Sequence, residues 1–297
     1  VLSTAINKYI FVTLNKKFDD HIRISYSKTE LVESVDQVAH ELVREAMKLT
    51  GVDKGIEITT IADIPSSGTG LGSSSTFTVG ILNALYAQRG DHASAETLAE
   101  NACRIEIDLV GEPIGKQDQY IAAYGGLQLI RFNRDGSVFI DPIVCSKETK
   151  IILQKNLMLF YTGITRKAST ILTEQRANSV LQKREELLEI KELAYEGKKI
   201  LEENGSVDDF GRLLDKGWNI KKRLAKGVSS REIDDMYETA KKAGALGGKI
   251  AGAGGGGFLL LYVPYERQGE VRKALISLKE TPFQFDPQGS KIIYVTD

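Results

Sequence analysis

Two stretches of this 297-residue chain carry residue types at spacings that suit phosphoryl chemistry. The first is Pro65-Ser66-Ser67-Gly68-Thr69-Gly70-Leu71-Gly72-Ser73-Ser74-Ser75. Three alternating glycines can turn backbone N–H groups toward one point and form an anion nest. Helical spacing through Val79, Leu82 and Leu85 follows, so a helix N-terminus with its partial positive charge is expected beside the nest. The serines offer hydroxyls to a phosphate oxygen or to Mg²⁺. The candidate phosphate contacts are Ser67, Gly68, Thr69, Gly70, Leu71, Gly72, Ser73, Ser74 and Ser75. A Walker-type loop needs a Lys after its last glycine, where Ser73 stands, and a dinucleotide fingerprint misses by one residue. Taken alone, the segment can also be read as a serine-rich loop that caps a helix.

The second stretch, 103–126, reads CRIEIDLVGEPIGKQDQYIAAYGG. Phosphoryl transfer asks little covalent chemistry of a protein. It needs a carboxylate to hold Mg²⁺ and a group that orients or deprotonates the attacking hydroxyl. Glu106 on a helix and Asp118 beyond the 111–115 turn suit those tasks if the turn brings Asp118 back toward the serine loop. Asp108 and Glu112 read as solvated or capping residues. Lys116 either lowers the pKa of Asp118 by proximity or points to solvent.

A third glycine run, Lys249-Ile250-Ala251-Gly252-Ala253-Gly254-Gly255-Gly256-Gly257, makes a poor helix or strand interior. It suits close backbone approach to a cleft, or else a flexible turn between strands at 247–251 and 258–263. Of 28 glycines, 15 fall in the windows 68–72, 111–126 and 244–257, where an even spread would put about three. Between the second and third windows, Phe160-Tyr161-Thr162-Gly163-Ile164-Thr165-Arg166 ends a strand with hydroxyls and a cation. It is either a substrate anchor or a strand exit with Thr165 capping the next helix.

The three blocks in this order resemble those of the GHMP kinases, whose patterns are P-x-x-x-G-L-G-S-S, G-x-x-D-Q and K-x-x-G-A-G-x-G-G. In galactokinase-like members a metal-binding Glu precedes the catalytic Asp by twelve residues, which is the separation of Glu106 and Asp118. The resemblance implies Asp118 as catalytic base and Glu106 with Ser74 as Mg²⁺ ligands. It also implies ATP as phosphoryl donor, with Thr162, Gly163, Arg166, Gly254 and Gly255 near the substrate. Runs such as LSTAINKYI, GEPIGKQDQYIAAYGG and LFYTGITRKAS are most similar to the heptose phosphate kinase branch. That branch implies transfer to an anomeric hydroxyl of a phosphorylated heptose, for nucleotide-heptose and surface polysaccharide synthesis. A fucokinase- or galactokinase-like enzyme on another sugar stays open, as does a non-catalytic sugar and nucleotide sensor on the same fold. Relatives carry an opening P-x-R…G-G-G-T-D block that would precede Val1, so a longer native chain is expected.

The elements that must position these groups are legible in outline. Residues 4–14 and 21–26 read as strands. Apolar positions recur at helical spacing over Glu30–Leu49, closed by Gly51, and Gly55–Ile61 alternates as a strand. A helix is expected from the N-cap Ser94 to about Val110, and a hairpin over 127–131 and 137–140 about Arg134-Asp135-Gly136. A buried strand is expected at Leu157–Tyr161, and helical regions at 167–203, 207–226 and 230–243. Strands at 258–263 and 291–295 should flank a helix near 267–278. The fold class expected is α+β, a two-domain GHMP kinase fold. Its N-terminal half (1–155) is ribosomal protein S5 domain 2-like, and its C-terminal half (156–297) is ferredoxin-like.

Charge excludes other classes. With 39 Lys and Arg against 40 Asp and Glu, the net charge of −1 leaves no footprint for nucleic acid or an anionic membrane. No apolar run approaches the roughly 20 residues of a membrane helix. The two cysteines, Cys103 and Cys145, make neither a metal pair nor a disulfide framework. A cytoplasmic chain acting on a small-molecule sugar phosphate is expected, with a homodimer left open.

Overall fold

A computed structural model of the protein describes residues 1–65, 68–165, 170–174, 183–203 and 205–295. Its strands and helices are interspersed, as expected of an α+β chain. The contacts divide it into two units: Val1–Thr4, Ser67–Leu71 and Leu127–Phe285 form one, while Ala5–Ser66, Gly72–Gly126 and Asp286–Asp297 form the other. Strand β1 (Leu2–Thr4) pairs antiparallel with β6 (Leu127–Phe132), which pairs in turn with β7 (Val138–Pro142). Long-range pairing therefore ties the first residues to a hairpin more than a hundred residues away.

The unit carrying the acidic block is built on a four-stranded sheet of order β2-β5-β3-β4. It comprises β2 (Ile10–Lys16), β3 (Ile22–Ser25), β4 (Thr29–Val32) and β5 (Ile56–Ala62). The β3–β5 pair is parallel and the other two are antiparallel, so the sheet is mixed. Helices α1 (Glu41–Thr50), α2 (Ser73–Gln88), α3 (Ala95–Cys103) and α4 (Gln117–Tyr124) accompany it. Its buried core includes Ile22, Ile24, Ile56, Ile58, Val79, Leu82 and Leu85, the alternating and helical apolar positions of those elements.

Three expectations change in this unit. The helix expected over 30–49 begins only at Glu41. Thr29–Val32 is drawn into the sheet by β3, and the Glu30 carboxylate pins a non-helical turn by accepting from Ala39 N at 2.6 Å and His40 N at 3.1 Å. The helix capped by Ser94, whose Oγ accepts from Thr97 N at 3.1 Å, turns into a π-helical segment at Arg104–Leu109. Residues 291–295 alternate in a strand-like way but belong to no strand. The backbone before them is committed to α4, with Ser290 N donating to Ala122 O at 2.9 Å, and alternation alone cannot form a strand without an edge to pair with.

The other unit holds the β1-β6-β7 sheet and a second, antiparallel sheet of order β11-β8-β10-β9. The latter is made of β8 (Leu157–Tyr161), β9 (Gly247–Ile250), β10 (Phe258–Tyr262) and the short β11 (Lys279–Glu280). Helices α5 (Lys147–Asn156), α6 (Arg184–Glu202), α7 (Val207–Lys221), α8 (Arg231–Lys242) and α9 (Gln268–Ala274) complete it. One core cluster joins Met158, Phe160, Trp218, Tyr237, Leu259 and Leu261, the inward faces of β8 and β10 with those of the helices. The helix expected at 267–278 is thus confined to 268–274, because the chain leaves it to form β11 on the edge of β8.

Candidate active site

The acidic block and the start of α2 come together within one unit. Gly72 precedes α2 in the left-handed region, at φ +71°, a conformation that L-residues reach only under strain. A Cβ there would lie 3.1 Å from both Cβ and Cγ of Asp118 and 3.3 Å from its Oδ2. Gly72 is therefore the surface on which the half-buried Asp118 rests. Asp118 stands in the first turn of α4, and the first turn of α2 holds no acidic residue.

Glu106 lies in the π-helical segment and is fully buried. Ser74 Oγ donates to its Oε1 at 2.7 Å, and Gln119 Nε2 donates to its Oε2 at 2.6 Å. Burial pushes the Glu106 carboxyl above its ordinary pKa, and the nearby Asp118 charge adds to that rise. Hydrogen bonds from Ser74, Ser75 and Gln119 oppose it by stabilising the ionised form. Because Ser74 spends its proton on Glu106, its oxygen lone pairs remain free for a cation.

A buried carboxylate beside an oriented hydroxyl matches the donor set of Mg²⁺, which takes one or two carboxylates and completes its shell with water and phosphate oxygens. Among the described residues there is no group of three or more His, Cys, Asp and Glu that could form an all-protein cage. Asp108, Glu112 and Lys116 are exposed. Ser75 is buried, in keeping with its bond to Glu106.

In the other unit the loop residues Gly68, Thr69 and Gly70 pack backbone to backbone against the third glycine block. A Cβ on Gly70 would lie 2.6 Å from Ala251 O, one on Gly252 2.7 Å from Gly70 Cα, and one on Gly257 2.2 Å from Thr69 O. Phe258 N donates to Thr69 O at 3.2 Å, and Gly257 N to Ile164 O at 2.7 Å. Close approach is the physical use of these glycines, and what approaches is the loop itself.

Of the residues expected at the substrate, Thr162 is buried, and its hydroxyl donates to Gly257 O at 2.8 Å while accepting from Ile164 N at 3.2 Å. Gly255 N donates to Val228 O at 2.8 Å, and a Cβ on Gly254 would lie 2.7 Å from that same oxygen. Gly163 is exposed, with no atom of the described residues within 4 Å of a would-be Cβ. Leu71 and Ser73 lie between the two sets of contacts along the chain. Ser67 and Arg166 fall outside the described residues.

Gln119 is the participant to which the sequence attached no role. Its neighbour Asp118 attracted the chemical reading, and only the fold shows that the next side chain reaches Glu106.

Residues 30–126 match the GHMP kinases N terminal domain, and residues 190–279 match the GHMP kinases C terminal domain. The chain is 31% identical to the D-glycero-alpha-D-manno-heptose 7-phosphate kinase of Campylobacter jejuni, over 93% of this chain and 84% of that protein. It is also 31% identical to the mevalonate kinase of Thermococcus gammatolerans, over 86% of this chain and 73% of the relative. A solved D-glycero-D-manno-heptose 1-phosphate kinase from Bacteroides thetaiotaomicron superposes with a TM-score of 0.79 at 28% identity, covering 99% of this chain and 90% of that one.

Proposed function

The chain belongs to the GHMP kinases, and we propose that within them it transfers the γ-phosphoryl group of ATP to an anomeric hydroxyl of a D-glycero-D-manno-heptose phosphate. The observation that carries the chemistry is the placing of Asp118 against Gly72, just before α2, while Glu106, held by Ser74 and Gln119, faces the first turn of that helix. The acceptor rests on the likeness to the two heptose kinases, one named for a 7-phosphate and the other for a 1-phosphate.

In this reading the N–H groups of Ser73–Ser75 face the nucleotide phosphates, where the positive end of α2 favours their charge. Glu106 and Ser74 would hold Mg²⁺, which when bound neutralises charge on the phosphates. Asp118 takes the proton of the acceptor hydroxyl as its oxygen attacks phosphorus. Gly72 fixes where that carboxylate stands.

Asp118 has a partner to lean on but no freedom to swing toward Gly72, so the attacking hydroxyl is met by a base of fixed position. The product is a sugar bisphosphate, and ADP leaves. We place the reaction in the cytoplasm, where ATP and nucleotide-sugar precursors are found. No helix among the described residues is long and apolar enough to cross a membrane.

The test is ADP release, followed by a coupled assay, with heptose 7-phosphate, fucose, galactose and mevalonate offered in parallel. The heptose phosphate should give the highest kcat/KM, and Asp118→Asn should abolish transfer while still binding ATP. Equal or better turnover of mevalonate or galactose would overturn the acceptor, and full turnover by Asp118→Asn would overturn the base.

A further inference from the structure

Gln119 is fully buried, and its two amide atoms have unequal fates. Nε2 donates to Glu106 Oε2 at 2.6 Å, whereas Oε1 is buried with no hydrogen-bond partner among the described residues. A buried carbonyl left unpaired opposes folding, and so does a fully buried carboxylate. An apolar side chain at 119 facing a neutral one at 106 would pack at lower cost. The pair therefore destabilises the fold locally in order to hold a particular arrangement.

That arrangement has a direction. With Oε2 tied to Gln119 on α4, the Glu106 carboxylate cannot rotate about its Cγ–Cδ bond. Its other oxygen is then held where Ser74 Oγ donates to it at 2.7 Å. The hydroxyl hydrogen is thereby committed, and the hydroxyl lone pairs are aimed before any cation arrives. The chain of contacts runs from α4 through the π-helical segment to the first turn of α2.

We infer that Gln119 is a positioning residue for the divalent cation: its amide presets the Glu106 carboxylate, and through it the Ser74 hydroxyl, as a preformed pair of ligands. The inference rests on the kinase reading above. It adds a residue that touches neither the metal nor the substrate. Residues that orient metal ligands in this way change metal affinity by about 10- to 100-fold when replaced.

The experiment measures Mn²⁺ binding directly, by the loss of the free-ion electron paramagnetic resonance signal, with ADP present and no acceptor, so that no turnover enters. Gln119→Met keeps length and burial but removes the donor, and should weaken Mn²⁺ about 10-fold or more. ADP binding without metal should be unchanged. Gln119→Asn keeps the amide one methylene short and serves if the Met variant does not fold; it should weaken Mn²⁺ severalfold. Combining Gln119→Met with Ser74→Ala should cost less than the two single losses together, because both act on one ligand pair.

Mn²⁺ affinity within twofold of the unaltered protein in a folded Gln119→Met or Gln119→Asn variant overturns the inference. Glu106→Gln is the arm that separates the two readings. If it too leaves Mn²⁺ binding intact, the metal role of Glu106 fails. If it alone weakens binding, only the role of Gln119 fails.

Discussion

Replacing Gly72 by alanine separates backbone strain from displacement of the base. The residue has φ +71°, so any side chain there costs about 1–2 kcal/mol in backbone strain. The added Cβ would stand 3.1 Å from Cβ and Cγ of Asp118, where carbon atoms prefer about 3.5–4.0 Å. Asp118 must therefore retreat by about half an ångström. A misplacement of about 1 Å can cost about 100-fold in rate, so roughly 10-fold is expected here.

Gly90→Ala supplies the control, since Gly90 has φ +80° and, among the described residues, no atom within 4 Å of a would-be Cβ. Urea unfolding should show both variants destabilised by about 1–2 kcal/mol. In an ADP-release assay at saturating ATP and acceptor, only Gly72→Ala should lose about 10-fold in kcat. If both variants keep kcat within twofold of the unaltered enzyme, the reasoning that Gly72 seats the base is wrong. If Gly90→Ala loses as much as Gly72→Ala, the loss reflects strain and not the seat.

Two further outcomes follow from the structure. His40 stacks on Phe77 with ring centroids 5.0 Å apart, and burial depresses its pKa from 6.5. The unfolded chain therefore takes up the proton first as pH falls, so this residue's contribution to stability is present above about 6.5 and is lost progressively below it, toward the lowered folded value. His40→Phe keeps the stack, and in urea unfolding at pH 7.5 and 5.5 it should gain on the unaltered protein at the lower pH; a constant gap would refute the assignment. Gly257→Ala would force a Cβ to within 2.2 Å of Thr69 O, whereas Gly163→Ala at φ +73° meets nothing within 4 Å among the described residues. The first should cost about 3 kcal/mol or more, and the second about 1–2 kcal/mol, read from urea midpoints; equal losses would show that the 68–70 and 251–257 segments are not in contact.

Much of the local structure around the candidate site is legible in the sequence, and the reason is locality. The glycines of 68–72, the Ser94 cap, the Arg134-Asp135-Gly136 hairpin and the Gly51 helix end each express a conformation set by a few neighbouring residues. The Glu106–Asp118 spacing singled out the two carboxylates because a motif is carried within one short stretch. The pairing of the first residues with Leu127–Phe132 was not legible, because it depends on β1 finding β6 far along the chain. The strand at Thr29–Val32 was hidden for a similar reason. Its apolar spacing continues into that of α1, and only pairing with β3 and the hydrogen bonds to Glu30 settle the competition.

The amino-acid sequence by itself determined which groups are present and which local turns they occupy: the nest glycines, the serines that follow them and the two carboxylates. Only the tertiary structure decided what each of them touches. It set Asp118 against Gly72, gave Glu106 its partners Ser74 and Gln119, turned the third glycine block toward the loop, and left 291–295 outside every sheet. Turn and helix geometry is encoded within a few residues, whereas burial and hydrogen-bond pairing depend on what distant segments bring to the same place.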